Sequence, residues 1–208
     1  MEISASDVKK LRDRTGTGMM DAKKALEDAS GDFEAALDLL RKAGVVKANK
    51  KADRTTAEGT IGSYVHGNSQ VAAMVVVNCE TDFVARNDEF QQLAKDLAMH
   101  VAALSPLYLS REDVPQELIE KEQGVFEEHA EAEGKPANIA QKMVTGRMEK
   151  FYAEATLLEQ PFVKDDSITV GELIQSAVQK LGENIQVSEF VRFEIKGNSN
   201  CQLNFPTE

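Results

Sequence analysis

The architecture of this chain follows from one segment, VAAMVVVNCETDFVARN, which covers residues 71–87. Its first seven residues form a continuous apolar run rich in β-branched side chains, and a run of that length and composition predicts a buried strand. Gly67-Asn68 before it is a turn signal, and residues 59–66 alternate loosely between apolar and polar side chains. Together these features predict a β-hairpin that leads into a polar stretch.

The residues after this segment predict several helices. Asn87 or Asp88 can cap an amphipathic helix that ends before Pro106. The strongly acidic residues 112–134 predict a solvated helix lying on the core. A long helix is expected after Pro136, and another over residues 170–181.

One further strand is predicted near the end of the chain, over residues 187–195, before a polar tail. Strands near both ends with helices between them predict an α+β fold, with a small, about three-stranded antiparallel sheet packed by helices. Either helices cover both faces of that sheet, or a second copy of the chain covers one face.

The N-terminal residues predict a compact unit of three short helices, with Gly44 ending the third. A linker follows in which basic residues crowd together, namely Lys47, Lys50, Lys51 and Arg54. The linker is either a basic patch for RNA or an acidic partner, or a solvated connector, and the connector is favoured. These features divide the chain into residues 1–53, the helical domain and linker, and residues 54–208, the core domain.

Composition restricts the function. The 208 residues include 35 acidic and 24 basic side chains, for a net charge of −11, so direct binding to nucleic acid or to an anionic membrane is not expected. No apolar run approaches the roughly 20 residues that span a bilayer. Two cysteines form no disulfide framework, and a cytoplasmic protein is the simplest interpretation.

The sequence offers no enzyme site. His100 lies on an otherwise apolar helix, so a hydrogen-bonded core or interface histidine is favoured over an acid–base catalyst. Cys79 stands beside Glu80 and Asp82, whose negative charges oppose formation of a thiolate. No metal-ligand spacing or phosphate-binding motif occurs, and neither a cofactor nor a metal is expected.

The polar stretch after the hairpin contains Phe83 and Val84 in its middle. Phe83 either folds back as an anchor in the core or protrudes as an exposed aromatic side chain that binds a partner protein. The residues alone leave these two interpretations open.

A set of motifs in fixed order resembles the elongation factor Ts family over residues 1 to about 196. They are VKKLRDRTGTGMMDAKKAL (8–26), GD (31–32), RKAG (41–44), NCETDFVARN (78–87), AMHVAA (98–103), EGKP (133–136), IAQKMVTGRM (139–148), QPFV (160–163) and FVRFE (190–194).

The resemblance implies a ubiquitin-associated-like N-terminal domain and guanine-nucleotide exchange on elongation factor Tu. It implies that Asp82 and Phe83, within Thr81 to Val84, insert near the nucleotide site of the partner and disturb its magnesium ion and phosphate loop. The activity would be that of an exchange factor acting by protein–protein binding, not of an enzyme.

The resemblance also implies contacts outside that turn. Met19, Met20 and Lys23 match the face of the N-terminal domain that touches the nucleotide domain of the partner. Val71 and Ala72 match a further contact, although the family pattern of basic residue, apolar residue and glycine is replaced here by Gln70-Val71-Ala72.

Short members with a single core act as homodimers, and this chain has that form. The cysteine that some members use for a dimer disulfide is replaced by Val191, so a non-covalent homodimer is expected. The alternative function is an adaptor that binds peptides or nascent chains through the helical domain.

Overall fold

A computed structural model of the chain describes residues 3–49, 51–134 and 136–195. These residues form eight helices and five strands, with single 3-10 turns at Arg111–Asp113 and Leu157–Glu159. In chain order they are α1 (Ala5–Thr15), α2 (Met19–Asp28), α3 (Phe33–Asn49), β1 (Glu58–Val65), β2 (Val71–Cys79), α4 (Asp82–Ala85), α5 (Asp88–Leu104), α6 (Gln116–Ala132), α7 (Ala137–Ala155), β3 (Pro161–Phe162), β4 (Asp165–Thr169), α8 (Val170–Leu181) and β5 (Gln186–Glu194). Lys50, Cys201 and the predicted polar tail lie outside the described residues.

The first three helices form a unit with its own core, as predicted. Ser4 caps α1, because its hydroxyl accepts from the backbone N–H of Asp7 at 3.1 Å, and Asp32 caps α3 in the same way through Ala35 at 3.0 Å. The buried side chains come from all three helices: Val8, Leu11, Ala22, Ala25, Leu26, Ala36, Leu37 and Leu40. The arrangement is consistent with a ubiquitin-associated-like domain.

The prediction that Gly44 ends α3 is wrong, because the helix continues to Asn49. Gly44 is buried where α3 meets α8, and a Cβ atom there would lie 1.6 Å from Nε2 of Gln179. The glycine therefore leaves room for the end of the Gln179 side chain and does not terminate the helix.

The helical unit and the linker also contact the core through hydrogen bonds. The hydroxyl of Ser176 on α8 donates to the carbonyl of Thr15 at 3.4 Å, and Nζ of Lys51 donates to the carbonyl of Gly182 at 2.6 Å. Arg54 pairs with Glu80 at 3.3 Å. Two of the four basic residues of the linker, Lys51 and Arg54, thus bond to the core.

The sheet has the order β1-β2-β5, with both pairings antiparallel, which confirms the α+β prediction. Helix α5 packs across one face, where the core contains side chains from β2, α5, α8 and β5. The largest apolar side chains among these that are fully buried are Phe90, Leu97, Val75, Val77, Val101 and Val170. Gly62 of β1 meets α5 so closely that a Cβ atom would lie 2.0 Å from the carbonyl oxygen of Ala94.

The opposite face of the sheet is apolar and exposed. The register places alternate residues of the three strands on this face, including the polar residues Ser63 and Glu189. Its apolar side chains are Ile61, Val65, Ala72, Met74, Val76, Val191 and Phe193. Of these, Ile61, Val65, Met74 and Phe193 are exposed and the others are half-buried. Among the described residues, no helix covers this face of the sheet.

The acidic helix α6 does not lie on the core, contrary to prediction, but packs against α7 as a helical hairpin. Arg147 of α7 pairs with Glu133 at 3.7 Å, and its guanidinium lies 5.8 Å from the ring centroid of Phe126. A pair of helices leaves the acidic faces in water while a narrow apolar seam is buried. The base of the hairpin is fixed by Arg111, which bonds to Glu149 and Glu159.

Candidate protein-binding site

The polar stretch after β2 forms a single helical turn instead of an irregular loop. Helix α4 covers Asp82–Ala85, and Thr81 caps it by accepting from the backbone N–H of Val84 at 3.5 Å. Asn87 then caps α5 through the N–H of Glu89 at 2.8 Å. We call residues 81–86 the Phe83 turn.

Phe83 is 84% exposed, which contradicts the interpretation that it folds back as an anchor in the core. Successive residues of a helical turn point about 100° apart. Ala85 is buried and Val84 is half-buried against the core, so the direction left for Phe83 is outward. The structure thus presents an aromatic side chain to solvent on a capped turn.

Asp82 lies on the same turn and is half-exposed. Its carboxylate pairs with the guanidinium of Arg86, one turn further on, at 3.2 Å. Exposed pairs of this kind contribute about 0.2–1 kcal/mol, so Asp82 can exchange Arg86 for a group on another protein at small cost.

Glu183, which the sequence did not identify, fixes the start of the turn. Its carboxylate accepts from the backbone N–H groups of Glu80 and Thr81, each at 3.0 Å, and from the hydroxyl of Thr81 at 2.6 Å. The only signal in the neighbouring sequence is Gly182, a helix-ending residue that is followed by the polar residues Glu183 and Asn184. In the structure Gly182 ends α8 with a positive φ of 80°. Nothing in that signal points to a contact more than a hundred residues away.

Glu80 makes a reciprocal contact. Its carboxylate accepts from the backbone N–H of Asn184 at 2.7 Å and from Arg54 at 3.3 Å. The bond from Asn184 and the charge of Arg54 lower the pKa of Glu80 below its ordinary value, so the carboxylate is ionised at neutral pH.

The second predicted group lies at the start of α2 in the N-terminal unit. Met20 is 75% exposed, Met19 is exposed to a lesser degree, and Lys23 forms an i,i+4 ion pair with Glu27 at 3.7 Å. The buried side of α2 is formed by Ala22, Ala25 and Leu26. The two methionines and the lysine are thus available on the outside of the unit.

Val71 and Ala72 lie apart from the Phe83 turn. They begin β2, whereas the turn follows its last residue, Cys79, and eight steps of about 3.3 Å place the two ends about 26 Å apart. Val71 is half-buried against the core, and Ala72 lies on the exposed sheet face. The predicted site residues therefore occupy three separate places.

The two candidate catalytic residues lie in unreactive surroundings. Cys79 is buried, and burial and the nearby charge of Glu183 raise the pKa of its thiol. His100 is fully buried, and burial lowers its pKa despite a hydrogen bond between Nε2 and Gln160 at 2.9 Å.

Within the described residues, no three His, Cys, Asp or Glu side chains are grouped to hold a metal ion, and no helix is long and apolar enough to cross a membrane.

Comparison with known proteins gives a consistent result. Residues 21–198 match the family model described as Elongation factor TS. The chain is 53% identical to elongation factor Ts of Carboxydothermus hydrogenoformans over 207 residues, which is 99% of this chain and 95% of that protein.

Two further relatives cover the chain to a similar extent. Elongation factor Ts of Fervidobacterium nodosum is 53% identical over 94% of this chain and 99% of its own length, and that of Thermosipho melanesiensis is 53% identical over 93% and 98%. The chain belongs to the elongation factor Ts family.

Proposed function

We propose that this protein is the guanine-nucleotide exchange factor for elongation factor Tu in translation elongation, and that it acts by binding its partner and not as an enzyme. The observation that carries the proposal is the 84% exposure of Phe83 on a capped turn. Family membership supports the identity of the partner. The buried, unreactive settings of Cys79 and His100 support a role without chemistry.

In the proposed mechanism, Asp82 and Phe83 insert near the helices that support the nucleotide site of elongation factor Tu. Enclosing the Phe83 ring would contribute about 1.5–3 kcal/mol of apolar burial. The resulting shift disturbs the magnesium ion and the phosphate loop of the partner. Since the metal neutralises the GDP phosphates, its loss weakens GDP binding. By reciprocity, GDP weakens binding of the exchange factor to the same degree.

Asp82 contributes polar contacts beside the ring. In the free protein its carboxylate is held by Arg86 at 3.2 Å, at the exposed edge of the turn. On binding, Asp82 exchanges this weak partner for donors on elongation factor Tu, such as displaced backbone amides. The same movement frees the guanidinium of Arg86 for the rim of the interface.

The start of α2 supplies a second contact, with the nucleotide domain of the partner. Met19 and Met20 are exposed, and methionine side chains adapt to irregular surfaces. Lys23 gives this surface a positive charge at its edge. Val71 and Ala72 are the least supported of the proposed contacts, because Val71 is half-buried against the core.

The proposed active form is a non-covalent homodimer in which the apolar sheet faces of two copies cover each other. The face lacks a covering helix among the described elements, and Ile61, Met74 and Phe193 are exposed on it. Burying such a face against a second copy removes apolar surface from water on both sides. Val191 stands on this face, so the proposed dimer needs no disulfide.

The proposed location is the cytoplasm, and the proposed partner is a protein and not a nucleic acid. The net charge of −11 opposes the approach of RNA or DNA phosphates.

Release of a fluorescent GDP analogue from elongation factor Tu, followed by stopped flow, tests the exchange function. The wild-type chain is expected to accelerate release in a concentration-dependent and saturable manner. An unchanged release rate at saturating concentrations of the chain would contradict the proposal.

A further inference from the structure

The Phe83 turn begins where the sheet can no longer support it. The last residue of β2 paired with β1 is Cys79, opposite Glu58, and the last paired with β5 is Asn78, opposite Gln186. The N–H groups of Glu80 and Thr81 therefore lie beyond both ladders. Backbone donors without a ladder partner must bond to water or to a side chain.

Glu183 supplies the missing acceptors with one carboxylate. Oε2 accepts from both backbone N–H groups at 3.0 Å, and Oε1 accepts from the Thr81 hydroxyl at 2.6 Å. Hydrogen bonds to an ionised acceptor are about twice as strong as neutral ones. The same Thr81 hydroxyl oxygen caps α4, so Glu183 fixes the residue that starts the turn of Phe83.

The adjacent Asn184 bonds in the opposite direction. It is 3% exposed, and its backbone N–H donates to the Glu80 carboxylate at 2.7 Å. Its side-chain amide donates to the carbonyls of Ala52 and Arg54 at 3.1 and 2.9 Å. One short loop, residues 182–184, thus holds both the Phe83 turn and the linker that carries the N-terminal unit.

We infer that Glu183 is a positioning residue for nucleotide exchange, with Asn184 as its support. It touches no nucleotide, and it acts by holding Thr81, and through Thr81 the Phe83 ring, in the orientation that inserts into the partner. This inference rests on the proposed exchange function and deepens it.

Loss of Glu183 should lower the rate of GDP release without weakening the affinity for the partner. Without Glu183, the turn samples several orientations while the N-terminal contacts are retained. The complex still forms, but the ring enters the partner in a smaller fraction of complexes. We expect the maximal release rate to fall and the half-saturating concentration to change little.

The test uses the full chain with Glu183→Ala, with Glu183→Gln as the conservative variant and Asp166→Ala as the matched control. Asp166 is an exposed acid on β4, away from the 182–184 loop in sequence. Glutamine keeps one acceptor oxygen, so Glu183→Gln should lie between the wild type and Glu183→Ala. If Glu183→Ala does not fold, the same measurements on Glu183→Gln still test the role of Glu183.

Two measurements are made on each variant. Amide hydrogen exchange of Glu80 and Thr81 in the free chain should become about tenfold faster in Glu183→Ala, because these donors lose their acceptor. The maximal rate of GDP release from elongation factor Tu should fall about tenfold, since a misplacement of about 1 Å has effects of this size or larger. Asp166→Ala should match the wild type in both.

The outcomes distinguish the two levels of the account. Unchanged exchange at the Glu80 and Thr81 amides would overturn the holding role of Glu183. Faster amide exchange with an unchanged maximal release rate would overturn the positioning role and leave a structural one. Failure of the wild type to accelerate GDP release would overturn the proposed function. The amide measurement would still test whether Glu183 holds the N–H groups of Glu80 and Thr81.

Discussion

At the scale of single residues, the side chains of the Phe83 turn differ in how far they are buried against the core. Ala85 is buried and Val84 is half-buried against the core, whereas Phe83 is directed into solvent. Single exposed apolar side chains are common on protein surfaces, so the exposure of Phe83 supports the proposed function only together with the capped turn that holds it. Its significance here comes from the bonds at Thr81, Glu183 and Asn87 that fix the backbone on either side.

His100 is a residue whose protonation state the fold determines. Its Nδ1 accepts from the backbone N–H of Val163 at 3.2 Å, which leaves Nε2 to donate to the oxygen of Gln160 at 2.9 Å. Only the neutral imidazole satisfies both partners, because a protonated Nδ1 cannot accept. Burial lowers the pKa of His100, and the bond to Gln160 opposes this effect.

This arrangement predicts a loss of stability in mild acid. Because the folded-state pKa of His100 lies below the ordinary value of 6.5, the unfolded chain takes up the proton first as pH falls. The stabilisation is fully present above pH 6.5 and is lost as pH falls from there toward the folded-state pKa. Urea unfolding between pH 8 and 5.5 should show this decline in the free energy of unfolding.

The variant His100→Gln should lower the free energy of unfolding at pH 8 by about 1–3 kcal/mol and remove this part of the pH dependence. His129→Gln, at an exposed histidine, is the matched control and should retain the wild-type profile. An unaltered pH profile in His100→Gln would contradict the assignment of a neutral buried imidazole.

Single residues also mark the limit of what the sequence predicts. The burial of His100 could be predicted, since it follows from the apolar residues around it in the helix. For Cys79 the sequence indicated the charges of Glu80 and Asp82, whereas burial and the charge of Glu183 raise the pKa of its thiol. The orientation of Phe83 could not be predicted from the residues, because a capped turn at this place can direct its aromatic side chain either way. The contact of Glu183 with Thr81 was missed because it joins positions 102 residues apart.

At the scale of elements, the hairpin, α5 and the last strand agree with the periodic patterns that predicted them. The two failures, α6 and the end of α3, have a common cause. The apolar stripe of α6 shows that it packs against something, but not that its partner is α7. In the sequence, Gly44 indicates the end of a helix. In the structure, α3 continues past Gly44, and the side chain of Gln179 from α8 occupies the place where a Cβ atom would lie.

The close packing of α5 on β1 gives a prediction for Gly62→Ala. A Cβ atom there would lie 2.0 Å from the carbonyl oxygen of Ala94, which is backbone and cannot turn aside. We expect the free energy of unfolding to fall by at least about 2 kcal/mol, measured by urea denaturation.

Gly124→Ala is the matched control for this prediction. Gly124 lies within α6, and an added Cβ would meet nothing within 4 Å. Replacing an unhindered helical glycine should raise stability by about 0.5–1 kcal/mol. Equal effects of the two substitutions would contradict the described packing of α5 on the sheet.

At the scale of the whole molecule, the described part of the chain covers one face of the sheet with α5 and places no helix on the other. The N-terminal unit, the Phe83 turn and the 182–184 loop are joined by the bonds of Lys51, Asn184 and Glu183. The exposed face lies on the other side of the sheet from α5, which leaves it available to a second copy of the chain.

The proposed homodimer predicts a specific effect of Met74→Glu. Met74 lies in the central strand of the exposed face and is 43% exposed, so glutamate there is compatible with the folded chain. In a dimer the charge would be buried without a partner, which is strongly unfavourable. The wild type should sediment as a dimer and Met74→Glu as a folded monomer, with an unchanged circular dichroism spectrum.

Ile139→Glu is the control for this experiment. Ile139 lies on α7 and is 44% exposed, which closely matches Met74. It should sediment like the wild type. A wild-type monomer at micromolar concentration would contradict the homodimer and leave the exchange function untouched.

The most direct test of the central claim compares Phe83→Ala with the wild type in stopped-flow release of fluorescent GDP from elongation factor Tu. Leu104→Ala is the control, since Leu104 is also exposed and ends α5 about 24 Å from its first residue. Loss of about 1.5–3 kcal/mol predicts a maximal release rate about tenfold to hundredfold lower in Phe83→Ala, with Leu104→Ala within about twofold of the wild type. Equal maximal rates for Phe83→Ala and the wild type, with both chains folded, would contradict the account.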